Sequence, residues 1–512
     1  MRFSTAKPLP GLPAPTLIGW VLAVTAVLAI LVLPRPFDLL AIPAVAAGLF
    51  YLLVPAAAAV FLVASVPVQA TGAISAGGVE WTATKVALGA AMGALAIHLV
   101  TRRETIRWSS ILVPYSAYLL VMVASMHDAQ YLRPAIAEIY RWSTPLFTFL
   151  LVLHVVRSRR AALAIPIAIG AGVLWQATSG AIQSLLELGP ESFAAGSGLS
   201  RAYGSFGKPN TYAAYLELSV PMLLVLAGWG IGQVVQQFHT YRQSRLHGML
   251  ASRAERASLI RWSGFSLWMA GCTLAGMVGI VLSFSRGAWL GTAAGLLAML
   301  LVSARGLPIA RVAIAGAVAV ALFAGGMRYA PEAVQARYEQ LVSQVRLFDS
   351  RQVIVTAENF ASVERMAHWQ TGIAMFQAEP LLGVGVGNYN ARFREFQIHP
   401  GFPNSAGHAH NYYIHTAAET GTLGLAAYLW LIGTALAVAL RAARTTQDAL
   451  SRAVGLGAVG VTVALMVHNV VENLHVLSLG IQLAAIWALA VLALYNPPWR
   501  GVTRAQEGTN SA

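Results

Sequence analysis

Apolar residues in this chain come in long unbroken blocks, not in the alternating or one-sided patterns of a water-facing fold. Leu17–Leu33 holds no charged residue, and Val86–Val100 has His98 as its one titratable group. Trp262–Phe284, Ala288–Val302, Val312–Gly326 and Leu423–Leu440 behave alike. A helix needs about 17–25 apolar residues to cross a hydrocarbon core of about 30 Å. The shorter blocks reach that length with their uncharged flanks. Segments centred near residues 25, 46, 63, 92, 117, 147, 172, 222, 274, 295, 318, 426, 461 and 486 predict an all-α polytopic membrane protein of 12–14 transmembrane helices. The range reflects a short, proline-interrupted pair near 46 and 63.

The polar intervals divide the chain. N-terminal membrane helices occupy 1–186, core helices 187–326, an external loop 327–410, C-terminal helices 411–496 and a tail 497–512. The loop is too long for an ordinary connection and should carry structure of its own. Pro331–Phe348 and Ser362–Glu379 place apolar residues at helical spacing, the second stopping at Pro380 before the glycine-rich turn Gly383–Gly387. The expectation is a small helical cap with little strand. The first apolar block is too long for a signal peptide, and Pro34-Arg35-Pro36 after it lacks a cleavage pattern, so it should stay as an anchor.

Composition and charge sharpen this reading. Only 11% of the 512 residues are charged and 57% are hydrophobic, with a mean hydropathy of +0.64. The net charge of +14 does not point to nucleic acid. Basic residues gather in cytoplasmic loops of membrane proteins. Here Arg102, Arg103 and Arg107, Arg157, Arg159 and Arg160, Arg242–Arg261, Arg305 and Arg311, and Arg441–Arg452 all follow even-numbered segments. One orientation therefore puts them all in the cytoplasm with both termini. The basic loop Arg242–Trp262 should meet anionic headgroups. The single cysteine, Cys272, excludes an intrachain disulfide.

On the opposite side the chain gathers chemistry. In "SFSRGAWLG", Ser283–Gly291, the small polar flanks suggest a tight turn around Arg286 that would hold its guanidinium in a fixed direction, suited to phosphate oxygens. In "RAYGSFGKPN", Arg201–Asn210, Gly204, Gly207 and Pro209 break the helix, and Asn210 is a plausible N-cap. Arg201 and Lys208 are two cations just outside the membrane that such a cap leaves unexplained. Arg365, His368 and Trp369 share one helix face, as a solvated amphipathic face anchored by Trp369 would. "GVGVGNYNARF", Gly383–Phe393, is a turn and not a dinucleotide fingerprint, since no strand precedes it and its spacing is wrong.

"HAHNYYIHTAAETG", His408–Gly421, leaves three alternatives. His408, His410 and His415 could ligate zinc, without an HExxH or cysteine partner. A proton-coupled transporter needs mid-membrane acids, whereas Glu138, Glu217, Glu419 and Glu472 fall near span ends. Acid–base work needs a histidine beside an anion site at the water interface, and His410 fits, being on the same side as Arg201 and Arg286.

Taken in order, "RAYGSFGKPN", "SFSRGAWLG", "ERMAHW…PLLGVGVGNYNARF" and "GHAHNYYIHTAAETGTLGL" resemble the O-antigen ligase and polymerase superfamily of membrane glycosyltransferases. The resemblance covers about Arg201 to Leu440. It implies an inverting, metal-independent transferase without cofactor, in a bacterial cytoplasmic membrane. Such an enzyme takes a glycan from an undecaprenyl diphosphate carrier on the outer face and gives it to a glycan, a lipid A–core or a protein. By resemblance His410 is the base, preceding Asn411 of the family's His-Asn motif. Arg286 and Arg201 hold the diphosphate, Arg365 is the loop arginine, and Lys208 and Asn411 belong to the same substrate-binding set. The other class the residues allow is a transporter or flippase of a small anion or lipid-linked sugar.

Overall fold

The computed structural model describes residues 50–304 and 348–495, apart from 52, 70, 72–73, 77–78, 103–104, 197, 247–252 and 357–358, together with residue 335. The segments near 25, 46 and 318, the N-terminal anchor, the helix expected at Pro331–Phe348 and the tail lie outside the described residues.

Every apolar segment within the described residues is a helix. In chain order they are α1 Pro55–Ser65, α2 Ala83–Arg102, α3 Leu112–Ser125, α4 Leu132–Val155, α5 Arg159–Leu185, α6 Pro209–Glu217, α7 Val220–Leu246, α8 Arg253–Leu282 and α9 Arg286–Ser303. The cap helices α10 Phe360–Ala378 and α11 Tyr389–Phe396 follow, then α12 Tyr412–Thr445, α13 Ala449–His468 and α14 Leu479–Tyr495. Among the described residues eight helices are long and apolar enough to cross a membrane, α6 and α7 counting as one; α14 and the stretch Pro55–Val68 are shorter apolar helices. Among the described residues strand is confined to two antiparallel hairpins, β1 Ile74–Ala76 with β2 Val79–Trp81 and β3 Ala194–Gly196 with β4 Leu199–Ser200. The protein is thus an all-α polytopic membrane protein.

Burial sorts the helices into centre and rim. The apolar window of α13 is 72% buried and that of α2 33%, so α13 is central and α2 peripheral. The side chains of α14 from Ile481 to Ala493 are buried, and α4 packs along it. α7, α9 and α12 pack around α13. Large apolar side chains such as Leu120, Leu267 and Leu274 point outward. Lipid tails can solvate such groups but not an unpaired backbone group.

Two breaks in these helices are closed by side chains. Between α6 and α7, Ser219 Oγ donates to Tyr215 O (2.7 Å) and accepts from Gln482 Nε2 (2.8 Å). In α12, Gly421 adopts φ 65°, and a Cβ there would collide with the Leu381 backbone. Thr422 N and Oγ1 both donate to Pro380 O at 2.8 Å across this kink. The kink thereby docks Gly383–Gly387, which is a turn as its glycines suggested, whereas Tyr389–Phe393, read as part of the same turn, begins α11. Glu419 locks it, accepting from Gly387 N at 2.8 Å and Tyr389 N at 3.0 Å. The cap helices are in this way fastened to the start of α12, where the conspicuous histidines lie.

Candidate active site

Four chain segments converge above the helices. The first runs from β4 into α6. Two glutamines on one face of α5 hold its backbone: Gln183 Oε1 accepts from Tyr203 N (3.2 Å) and Gly204 N (2.7 Å), and Gln176 Oε1 accepts from Ser205 N (3.0 Å). Gly204 has φ 53°, and a Cβ would run into the Gln176 amide, so glycine is required. Arg201 is aimed by this loop. Its Nε donates to Ser283 O (3.0 Å) and its Nη2 to Asn210 Oδ1 (2.9 Å). The expected capping role of Asn210 does not hold. Helix α6 starts at Pro209, Lys208 is its N-cap, and no side chain caps it. Proline at the first position removes one of the unpaired donors of the helix start, and the Asn210 amide bridges Arg201 to Glu472.

The second segment is the turn before α9. Ser283 Oγ donates to Ile280 O (2.6 Å) and accepts from Ser285 N (3.1 Å). Phe284 between them takes φ 50°, a left-handed backbone uncommon for an aromatic residue. Arg286 follows as the first residue of α9. The tight polar turn expected around it is present.

The third segment is α10. Its Arg365, His368 and Trp369 do not form a solvated face. His368 is fully buried, donating from Nδ1 to Glu364 O (2.7 Å) and accepting Ala406 N–H at Nε2 (3.0 Å). Burial lowers its pKa to about 4, with the Glu364 carbonyl opposing and His410 adding to the shift. Trp369 Nε1 donates to His410 O (3.0 Å). The cap helix therefore presses on the histidine loop because two of its polar groups hold that loop.

The fourth segment is His408–Asn411, with the α13–α14 connection beneath it. His410 has φ 52°, the strained region where functional residues concentrate. Asn411 caps α12, its Oδ1 accepting from Tyr413 N (2.9 Å) and Ile414 N (3.0 Å). Tyr412 N donates to Asn469 O (2.8 Å), joining this loop to the connection that carries Glu472.

Glu472 is the hub. Its Oε2 accepts from the Asn210 amide, and its Oε1 lies 3.3 Å from His408 Nε2 and 3.4 Å from His410 Nδ1. One continuous path thus runs Arg201–Asn210–Glu472–His410. Neither ring nitrogen of His410 has a hydrogen-bond partner among the described residues, and neither has Arg365 Nε. Burial lowers the Arg201 pKa to about 10; Arg286 and Arg365 push the same way and Glu472 opposes them, so these charges share one site. Burial also pushes the Glu472 carboxyl up. The two facing imidazoles, His410 and His408, and the charge of Arg365 outweigh that and hold it well below the usual carboxylate range. Burial lowers the His408 pKa to about 3, against Glu472 and together with His410, His415 and Lys208.

The structure therefore brings His410, Arg201, Arg286, Arg365 and Lys208 to one place. Sequence reasoning missed Glu472 as a site residue. The signal was the polar run "HNVVENLH", His468–His475, between two apolar helices. The metal alternative also changes. His408, His410 and Glu472, not His415, bring ligand atoms within 4.8 Å of one another. His408 Nδ1, however, accepts the His410 N–H (3.2 Å), which places the proton of the neutral ring on Nε2, facing Glu472. A dication there would also meet Lys208 and the guanidinium groups. The acids read as lying near span ends, Glu138, Glu217, Glu419 and Glu472, are all buried.

The fold and this cluster define a class: a polytopic membrane protein with a cationic, histidine-bearing site at the ends of its helices. A family model described as O-antigen ligase matches residues 271–429, which include Arg286, Arg365, His410 and Asn411. The match agrees with the resemblance to O-antigen ligases that the motifs carry. Arg201, Lys208, Asn210 and Glu472 lie outside it. No curated protein matches the chain.

Proposed function

We propose that the protein is an inverting, metal-independent glycosyltransferase. It moves a glycan from an undecaprenyl diphosphate carrier to an acceptor hydroxyl on the outer face of a bacterial cytoplasmic membrane, with both termini inside. The observation that carries this reading is the unbroken path from Arg201 to His410 through Asn210 and Glu472.

His410 is the general base. Glu472 faces Nδ1 and favours the tautomer with its proton there, leaving Nε2 to accept, as a carboxylate orients the histidine of a hydrolase triad. In the transfer, the acceptor oxygen forms its bond to the anomeric carbon as His410 takes the hydroxyl proton. The bond from that carbon to the diphosphate oxygen breaks on the opposite face. The electron pair leaves with undecaprenyl diphosphate. Arg201, Arg286 and Arg365 stabilise that anion, with Lys208 at the rim. Fixed cations aimed at developing charge lower such a barrier strongly in a desolvated site. Asn411 sets the start of α12 and hence the direction of His410.

Purified protein in nanodiscs, given an undecaprenyl-diphosphate glycan and candidate acceptors, should produce an acceptor of increased mass. His410→Ala should not. Transport of the glycan or of an anion into proteoliposomes with no change of covalent structure would favour the transporter instead.

A further inference from the structure

Directly below the arginine turn lies a polar pair that the proposed chemistry does not use. Glu217 ends α6 and His468 ends α13, and both are shielded from solvent, at 0% and 1% exposure. They are 251 residues apart in sequence, with His468 Nδ1 2.5 Å from Glu217 Oε2. Glu217 Oε1 has no hydrogen-bond partner among the described residues. An ionisable pair inside a membrane protein is expensive, and well-packed apolar residues often serve stability as well or better. Its presence calls for a reason.

The reason lies in what the pair touches. Gly287, the residue after Arg286, packs against the His468 ring, where a Cβ would come 2.5 Å from Nε2 and 3.0 Å from Val471 Cγ2. One turn on, a Cβ at Gly291 would collide with Glu217 Oε1 and lie 2.9 Å from Ala464 O. A further turn on, a Cβ at Gly295 would come 2.5 Å from Gly460 O. The first two turns of α9 thus rest on the Glu–His pair, through backbone that has no side chain in between. The three elements that meet there each carry part of the site. α6 carries Asn210, α9 carries Arg286, and α13 leads through Asn469 to Glu472.

We propose that Glu217 and His468 are positioning residues: by joining α6 to α13 under Gly287 and Gly291, they set the direction of Arg286 toward the donor diphosphate. This rests on the transferase reading above, which assigns Arg286 to the diphosphate. The pair touches no reacting atom. A hydrogen bond is enough for the role, so a neutral isostere should serve where an apolar residue does not.

The test is a double-mutant cycle on binding of undecaprenyl diphosphate, and of inorganic pyrophosphate, to the full chain in nanodiscs, with thermal stability measured alongside. Glu217→Leu should weaken binding about tenfold while the protein stays folded, and Glu217→Gln should recover most of that loss. Arg286→Ala in the Glu217→Leu background should add less than about threefold, because coupled groups are not additive. Gly291→Ala, which pushes α9 off the pair, should reproduce the loss and decides the matter if Glu217→Leu fails to insert. Wild-type binding by Glu217→Leu, a fall in stability alone, or losses that simply multiply with Arg286→Ala would overturn the proposal and leave the transferase reading intact. Unchanged binding by Arg286→Ala alone would overturn both.

Discussion

Two glutamate–histidine pairs flank the start of α12, and they differ in what surrounds them. Glu419 lies 3.7 Å from His415 Nε2, and both of its oxygens accept backbone N–H groups of the glycine turn. Glu472 lies 3.4 Å from His410 Nδ1, and the His410 ring nitrogens have no hydrogen-bond partner among the described residues. The first carboxylate is committed to a loop that would otherwise carry orphaned donors. The second accepts the Asn210 amide and the Asn473 N–H and faces two imidazoles, and in the proposed reading it leaves His410 open to a substrate. Residue types are alike in the two and so is the burial of the carboxylates, whereas His415 is buried and His410 half-buried. What the carboxylate holds separates the two: Glu419 satisfies two backbone donors of the cap that would be costly to leave unpaired, whereas Glu472 ties the Asn210 loop to the histidines.

Exchanging the roles is the strongest way to break this comparison. His410→Ala should lower transfer by at least about 10³-fold with unchanged thermal stability, within the range that general-base removal produces. Glu419→Ala should do the reverse. It strands two N–H groups of the cap and should cost about 2–4 kcal/mol, read as a lower melting temperature, with transfer falling only as folded protein is lost. Equal effects of the two substitutions on both readouts would erase the distinction. Glu472→Gln should be intermediate. It keeps the volume but loses the charge that orients His410, and transfer should fall about 10²-fold, in turnover more than in acceptor KM.

The smallest effect concerns the strut above the site. His368 is neutral in the fold, donating at Nδ1 and accepting at Nε2, with the His410 ring 5.4 Å away. Its pKa is about 4 in the fold, against 6.5 for a free histidine. Between these values the unfolded chain binds the proton and the folded one does not. Stability is therefore complete above pH 6.5 and is lost as pH falls toward 4, by at most about 3 kcal/mol. Other groups titrate in that window, so the measurement is the difference in thermal stability between wild type and His368→Gln. That difference should shrink on acidification.

How much of this was legible in the sequence follows from the range of each interaction. The apolar blocks, the turn around Arg286, the glycine turn and the position of His410 are local, and spacing reveals them. Asn210 looked like a cap because a helix does begin there; that it instead reaches Glu472, 262 residues away, no local pattern could show. Glu217 read only as an acid near a span end, because only packing in three dimensions pairs it with His468. The face of Arg365, His368 and Trp369 has the spacing of a solvated helix, and it is the loop above α12 that covers it. The convergence of these segments is a tertiary fact, and the enzymatic reading depends on it.

That dependence is tested most directly by separating donor binding from turnover. Undecaprenyl-diphosphate binding and single-turnover glycan transfer should be measured on the same preparations of wild type, His410→Ala and Arg201→Ala. The account predicts that His410→Ala binds the donor like wild type and forms no product, whereas Arg201→Ala loses affinity for the diphosphate. Product formed at the wild-type rate by His410→Ala, or donor binding indifferent to Arg201, would contradict it.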